Sequence, residues 1–230
     1  ALRSPAVNTR YLGFKSLKSQ GEKASNYVFK QLDDANKWIA ARAVWLLPYI
    51  GSQGINACIK MLEDENSDER VVAYRSLRRA SHDMIPHARR MCKDKSPQVR
   101  REIALSLRDL PAEQTKDIFI ELAKRCDTTD KNSLEAIGLG AAKQESIIWK
   151  AIKNELHPDS SDQWSDHFAR LTWRLWGAAS VNDLKARITN NSLPLEKRKF
   201  ALESLAFIDD KLASNTMLEI ASKPSQLKGQ

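Results

Sequence analysis

The sequence predicts an all-α fold, a solenoid of about seven stacked helical hairpins, and three observations predict it. Leu17, Leu47, Leu77 and Leu107 recur at intervals of 30 residues. Before each lies a segment, over 9–17, 39–47, 69–77 and 99–107, with apolar residues at i, i+4, i+5 and i+8, one stripe of an amphipathic helix. No segment in these repeats alternates with the period of two that a strand requires.

The elements follow in order. Each first helix is succeeded by a break at Gly21, at 48–54, at 81–83 or at Pro111. A second apolar stripe comes next, carried by Val28 and Leu32, then Ile55, Ile59 and Leu62, then Ile85, Met91 and Cys92, then Ile118, Leu122 and Cys126. Asp68 and the Ser96-Pro97 pair mark the openings of the third and fourth first helices, and Asp127, Thr128 and Asp130 can cap the fifth, since short polar side chains satisfy free amides at helix starts. The register then loosens: 133–142 matches the fourth first helix at an offset of 33, and 146–156 is its partner. A polar stretch at about 157–166 reads as an inserted loop. A sixth pair spans 168–179 and 184–188, and a seventh 198–205 and 212–222, which makes 1–223 one repeat domain with a tail over 224–230. Small residues at Gly13, Ala43, Ala73, Ala104, Ala136 and Ala201 stand where helices must approach.

Composition bounds the function. In 230 residues, 42% are hydrophobic, with only 8 Gly and 8 Pro, enough for a substantial core. No apolar run is long enough to insert into a membrane. The start, Ala1-Leu2-Arg3-Ser4-Pro5, lacks Met and an apolar leader, and leads to the expectation of a piece cut from a longer polypeptide, ahead of a mature form after processing. Cys58, Cys92 and Cys126, 34 residues apart, fall near the ends of successive second helices and are expected as buried thiols. The charge is uneven: between 70 and 108 there are eleven Lys and Arg against three acids, a surplus equal to the whole net charge of +8.

The string 99–107, with Val99-Arg100 leading to Ile103-Ala104 and Leu107, resembles the first-helix signature of HEAT repeats. Arg10, Arg70, Arg100 and Arg198 match that family's recurring arginine, which implies bonds between neighbouring repeats; Ala40 breaks the series. The resemblance implies a right-handed superhelix that mediates protein contacts. A narrower resemblance covers about residues 96–210. The strings 97–108, 121–123 and 130–140, Trp164-Ser165-Asp166 and 171–175 are similar to the HEAT region of secreted bacterial dehydrogenases of Planctomycetes, Verrucomicrobia and Bacteroidetes. In that family a sorbosone-dehydrogenase-like propeller precedes the repeats and a cytochrome c domain follows them. It implies a periplasmic or extracytoplasmic middle module, with the propeller and the cytochrome c domain as its partners.

The chain offers no Cys-x-x-Cys-His for haem, no glycine-rich phosphate loop, no Gly-x-Ser-x-Gly and no His-Glu-x-x-His, so no catalytic, cofactor or metal residues are assigned. His82, Asp83 and His87 are close in sequence but equally suit a helix start with Asp83 as its cap; His157 and His167 flank the polar loop without carboxylate partners. Trp38, Trp45, Trp173 and Trp176 sit on first helices and read as packing residues, while Trp164, in the polar loop, reads either as a contact for a neighbouring module or as folded back onto the adjacent helix. The arginine block reads as a solvated face that needs no function and in part stabilises helix C-termini, or else as a partner-docking surface, for which the candidates are Arg75, Arg78, Arg79, Arg89, Arg90 and Arg101 with Trp164. The leading reading is a non-catalytic scaffold. The alternative is a HEAT-like alkylpurine DNA glycosylase, which needs an Asp and aromatic side chains converging on a basic groove. Only Tyr74 interleaves the arginines, so nucleic acid is an unlikely partner.

Overall fold

A computed structural model gives the fold and describes residues 1–156 and 160–222. Among these residues the regular structure is fourteen α-helices and four short 3₁₀ turns, with no strand. First and second helices alternate: α1 (Val7–Gln20) and α2 (Ser25–Leu32), α3 (Lys37–Val44) and α4 (Ser52–Met61), α5 (Ser67–Arg79) and α6 (Ile85–Met91), α7 (Pro97–Ser106) and α8 (Ala112–Arg125). They continue as α9 (Lys131–Gly140) and α10 (Glu145–Leu156), α11 (Asp166–Leu175) and α12 (Val181–Thr189), α13 (Leu195–Ala206) and α14 (Lys211–Ser222). The fold is an α-solenoid of helical hairpins, as the leucine period predicts. It divides into two compact units, Ala1–His87 and Ala88–Gln230.

In the first unit α2 and α5 both pack on α3, and α4 packs on α5. Leu47 and Leu77 are wholly buried, as are Ala43 and Ala73, whose small side chains let the helices close. Ser76 donates its hydroxyl to the Val44 carbonyl at 2.9 Å, so even the polar position on this seam is satisfied. Leu17 is only half-buried, and α1 contributes no buried residue. In the second unit like packs on like: α7 on α9, α9 on α11, α11 on α13 in one layer, and α8 on α10 and α12 on α14 in the other. A β-carbon at Gly140 would fall 2.1 Å from the Ala104 carbonyl oxygen, so glycine there sets the approach of α9 to α7. Gly138 makes room for Arg174, whose Nε donates to Glu135 at 2.8 Å.

The joints between hairpins repeat one small motif. The Asp34, Asp64 and Asp94 carboxylates accept the backbone N–H of Asn36, Asn66 and Ser96, at 3.0, 2.8 and 2.7 Å. Asn36 and Asn66 in turn cap α3 and α5, accepting from Trp38 and Asp68. So Asn66 rather than Asp68 caps α5, and Ser96 precedes α7 without a side-chain cap, with Pro97 at the first helical position, where no intrahelical bond is lost. Asp130 does cap α9, accepting from the amides of Asn132 and Ser133.

The recurring arginines close the same joints. Arg10, Arg70 and Arg100 each place Nη1 between two carbonyls five and six residues back: Ser4 and Pro5, Asp64 and Glu65, Asp94 and Lys95, all within 2.6–3.1 Å. The bridge gives a donor to joint carbonyls that lie outside the helices. Arg198 uses Nε instead, on Ile188. At Ala40 the series is broken, and Arg42 reaches the Leu2 carbonyl at 2.8 Å.

Two segments depart from the sequence reading. α11 ends at Leu175, not at 179, because Trp176 adopts a positive φ of 26° and Gly177 lies against Ser146, where a β-carbon would fall 2.8 Å from its amide nitrogen. Of the polar stretch 157–166, the part from Ser160 is described: it makes a 3₁₀ turn over Ser161–Gln163 and folds back onto the helices. His157 and the tail 224–230 lie outside the described residues.

Candidate functional site

The predicted docking residues do not form one free basic face. In the second unit Arg89 pairs with Asp117 at 2.8 Å and Arg101 with Asp130 at 3.2 Å, each reaching to the following hairpin. Arg75, Arg78 and Arg90 are exposed and also carry interactions of their own. Arg70 and Arg100, within the same charge surplus, hold joints closed. Trp164 corrects the expectation outright. It is 2% exposed, set edge-on to Phe168 at 4.9 Å, with the Arg187 guanidinium over its ring, so it fills a core and offers no surface. The polarity of 157–166 hid this, because one large ring is enough to anchor a polar loop. Trp38, read as packing, is 65% exposed, and Trp176 is partly exposed against Phe207.

The second unit also neutralises its cations along the second-helix layer. Lys124 of α8 pairs with Glu155 of α10, Lys153 of α10 with Asp183 of α12, and Lys185 of α12 with Glu219 of α14. Each such exposed pair contributes about 0–1 kcal/mol, so the ladder sets charge balance more than stability.

One groove of the first unit is arranged differently, although Arg3 and Asp34 pair elsewhere in that unit. Leu2, Val7, Arg10, Tyr11, Phe14, Lys15, Lys18, Ser19, Arg42, Trp45, Tyr49 and Arg79 line an open groove of about 740 Å³. It holds five cations and no carboxylate, and none of the five forms an ion pair among the described residues. The amphipathic pattern explains the placement: the exposed face of α1 leaves Val7 and Tyr11 uncovered, and the turn after α3 brings Trp45 and Tyr49 beside it. Tyr49 donates its hydroxyl to the Arg79 carbonyl at 3.3 Å, which fixes the end of α5 against that turn. Phe14 meets Tyr49 edge-on at 6.0 Å. Lys18 lies 3.9 Å above the Tyr49 ring, Lys15 5.6 Å above Tyr11, and the Arg79 guanidinium 5.6 Å above Trp45. Arg10 and Arg42 hold the segment before α1 through their carbonyl bonds.

Of the predicted docking arginines, only Arg79 enters this groove. Lys15, Lys18 and the aromatic rings were missed because they are scattered from 10 to 79 with no local charge surplus. A signal existed: Ser19, Tyr49 and Arg79 share one position of the 30-residue repeat, and Lys15 and Trp45 share another.

Among the described residues the histidines and Asp83 do not come together as a reaction centre. Asp83 caps α6, accepting from Ile85 at 3.1 Å, beside the His82 and His87 rings, whose centroids are 5.8 Å apart. His167 contacts the Ala123 carbonyl. The three cysteines are buried as expected; burial pushes the Cys58 and Cys126 thiols up to about 12 and raises Cys92 as well. Among the described residues no group of His, Cys, Asp and Glu could hold a metal ion, and no helix is long and apolar enough to cross a membrane.

The segment that holds the joint motif, the arginine bridge and the buried leucines also matches a family: residues 55–138 fit the HEAT-repeat family model. The match covers less than half of the chain and shows likeness to HEAT repeats over that segment. No curated protein matches it. The HEAT match takes in Asn66, Arg70, Leu77, Arg100 and Leu107, so the family likeness rests on the residues that cap and close hairpins, and it lies apart from most of the groove.

Proposed function

We propose that the chain is a non-catalytic helical-repeat scaffold that holds a protein partner, with the groove of the first unit as its contact surface. One observation carries the reading: five cations and four aromatic side chains converge on an open groove with no acid to satisfy them, while the second unit pairs its own charges. HEAT repeats mediate protein contacts in general, which supports the same assignment. The glycosylase alternative lacks its acid, since no Asp or Glu lines the groove. Benzoyl-phenylalanine in place of Lys15 tests the reading in cells that make the protein. Irradiation is expected to join the chain to a polypeptide, and the Lys18→Glu/Arg79→Glu double variant to lose that adduct. Adducts to nucleic acid alone, or none, would overturn it.

The proposal extends to setting: the chain serves as the extracytoplasmic middle module of a haem-containing dehydrogenase, between a propeller and a cytochrome c domain. What supports this is the resemblance over 96–210. Its strings are structural here, with Arg100 in a joint, Asp130 capping α9 and Trp164 in a core. The coding sequence on either side decides: an upstream propeller and a downstream Cys-x-x-Cys-His are expected, and their absence removes this part alone.

A further inference from the structure

Resting on the scaffold reading, we infer that the groove of the first unit takes an acidic linear peptide segment, with an apolar side chain seated among Val7, Phe14 and Trp45 and carboxylates reaching Lys15, Lys18 and Arg79. Three features support this occupant over the others.

The first is charge. Lys15, Lys18 and Arg79 are exposed, and no carboxylate lines the groove. An anionic partner meets three cations there without displacing an existing ion pair. The second is the order of polarity. Apolar surface at Val7, Phe14 and Trp45 lies among cationic side chains, which matches a chain that alternates apolar and acidic residues rather than a uniform polyanion. The third is the state of the rings. Tyr11, Trp45 and Tyr49 each carry a cation over one face, and Phe14 presses edge-on against Tyr49. A nucleobase stacking on any of these faces would have to displace its cation, whereas a carboxylate approaches the same cation from solvent and leaves the ring contact in place. The volume, about 740 Å³, is that of a site for a short segment, within the range of ligand clefts.

Fluorescence anisotropy with four labelled probes tests this: a peptide with Leu and Phe between Glu residues, the same peptide with Lys for Glu, the same with Ser for Leu and Phe, and oligo-deoxythymidine. The first is expected to bind at least about tenfold more tightly than the other three, and to weaken as salt rises from about 50 to about 200 mM. Lys18→Glu/Arg79→Glu is expected to remove about tenfold of that affinity, and Tyr11→Ala, which leaves the charge unchanged, to weaken it as well. Circular dichroism confirms that both variants fold. Equal binding of the Ser peptide would reduce the groove to a general anion site and overturn the inference; equal binding of the Lys peptide, or tighter binding of the oligonucleotide, would also overturn it. If no peptide binds while crosslinking at position 15 still captures a polypeptide, the inference falls and the scaffold reading stands. If both fail, both fall.

Discussion

Gly140 on α9 lies so close to Ala104 on α7 that a methyl group in its place would sit 2.1 Å from the Ala104 carbonyl oxygen. The neighbour is backbone in a packed helix, so relief requires the two helices to separate. Gly140→Ala is therefore expected to cost about 2–3 kcal/mol or more, as overpacking does. Gly138→Ala meets the tip of Arg174 instead, at 2.0 Å, and is expected to cost less while breaking the Arg174–Glu135 pair. Urea midpoints of the two variants check the ranking; equal losses would mean that α7 and α9 are less tightly held than they stand here.

The arginine bridges differ in burial, and their energetic weight should follow. Arg70 is 4% exposed, whereas Arg10 is half-buried on α1. Arg70→Met leaves the carbonyls of Asp64 and Glu65 without this donor and is expected to cost about 2–3 kcal/mol, against about 1 kcal/mol or less for Arg10→Met. Arg70→Lys should recover only part of the loss, because the lysine ammonium sits on a flexible stem, whereas the guanidinium is planar and preorganised. Denaturant unfolding of the three variants provides the comparison.

Much of this fold was legible before any coordinates. The leucine period located every first helix from α1 to α7, since Leu47, Leu77 and Leu107 are buried where hairpins stack and the half-buried Leu17 keeps the same register. The groove was not legible, and the reason is physical. Charge surplus along the chain marks where cations are encoded, but Arg70, Arg89, Arg100 and Arg101 are consumed by carbonyls and carboxylates once the hairpins stack. What remains without acids depends on which side chains the fold brings together. Trp164 misled for a related reason: its neighbours in sequence are polar, and its neighbours in space are Trp149 and Phe168.

The three thiols should be inert in the folded state. With Cys58 and Cys126 raised to about 12 and Cys92 raised by burial, little thiolate exists at about pH 8, and reagent access is blocked as well. A thiol-exchange reagent is expected to modify none of them in the time it modifies all three in denaturant. Rapid labelling of Cys126, 9% exposed and the least buried of the set, would show that the joint before α9 opens.

Acid should loosen that same joint. The Ser133 hydroxyl bonded to Asp130 holds the carboxyl below its ordinary 3.8, helped by the amides it caps and by Arg101, and Thr129 does the same for Asp127. A carboxyl that releases its proton more readily when folded stabilises fully above its ordinary value, and that contribution is lost as pH falls through the lower, folded one. Stability measured from about pH 7 down to about pH 3 should fall less in Asp130→Ala than in the parent protein, the variant having already lost the term. Identical acid limbs would sink this assignment.

The arginine bridge has a consequence for how such a chain can grow. Arg70 and Arg100 each reach back with Nη1 to carbonyls of their own joint, beside the Asp and capping residue of that joint, and Arg100 also donates Nη2 to the Arg125 carbonyl at 3.3 Å, at the end of its own hairpin. A stretch running from Asp64 to just before Asp94 thus carries its own start signal, its own fastening and its own core leucine. Copying or deleting that stretch in the gene would leave each remaining joint with every residue it needs, so the array can change length in whole repeats without first evolving a new way to join them.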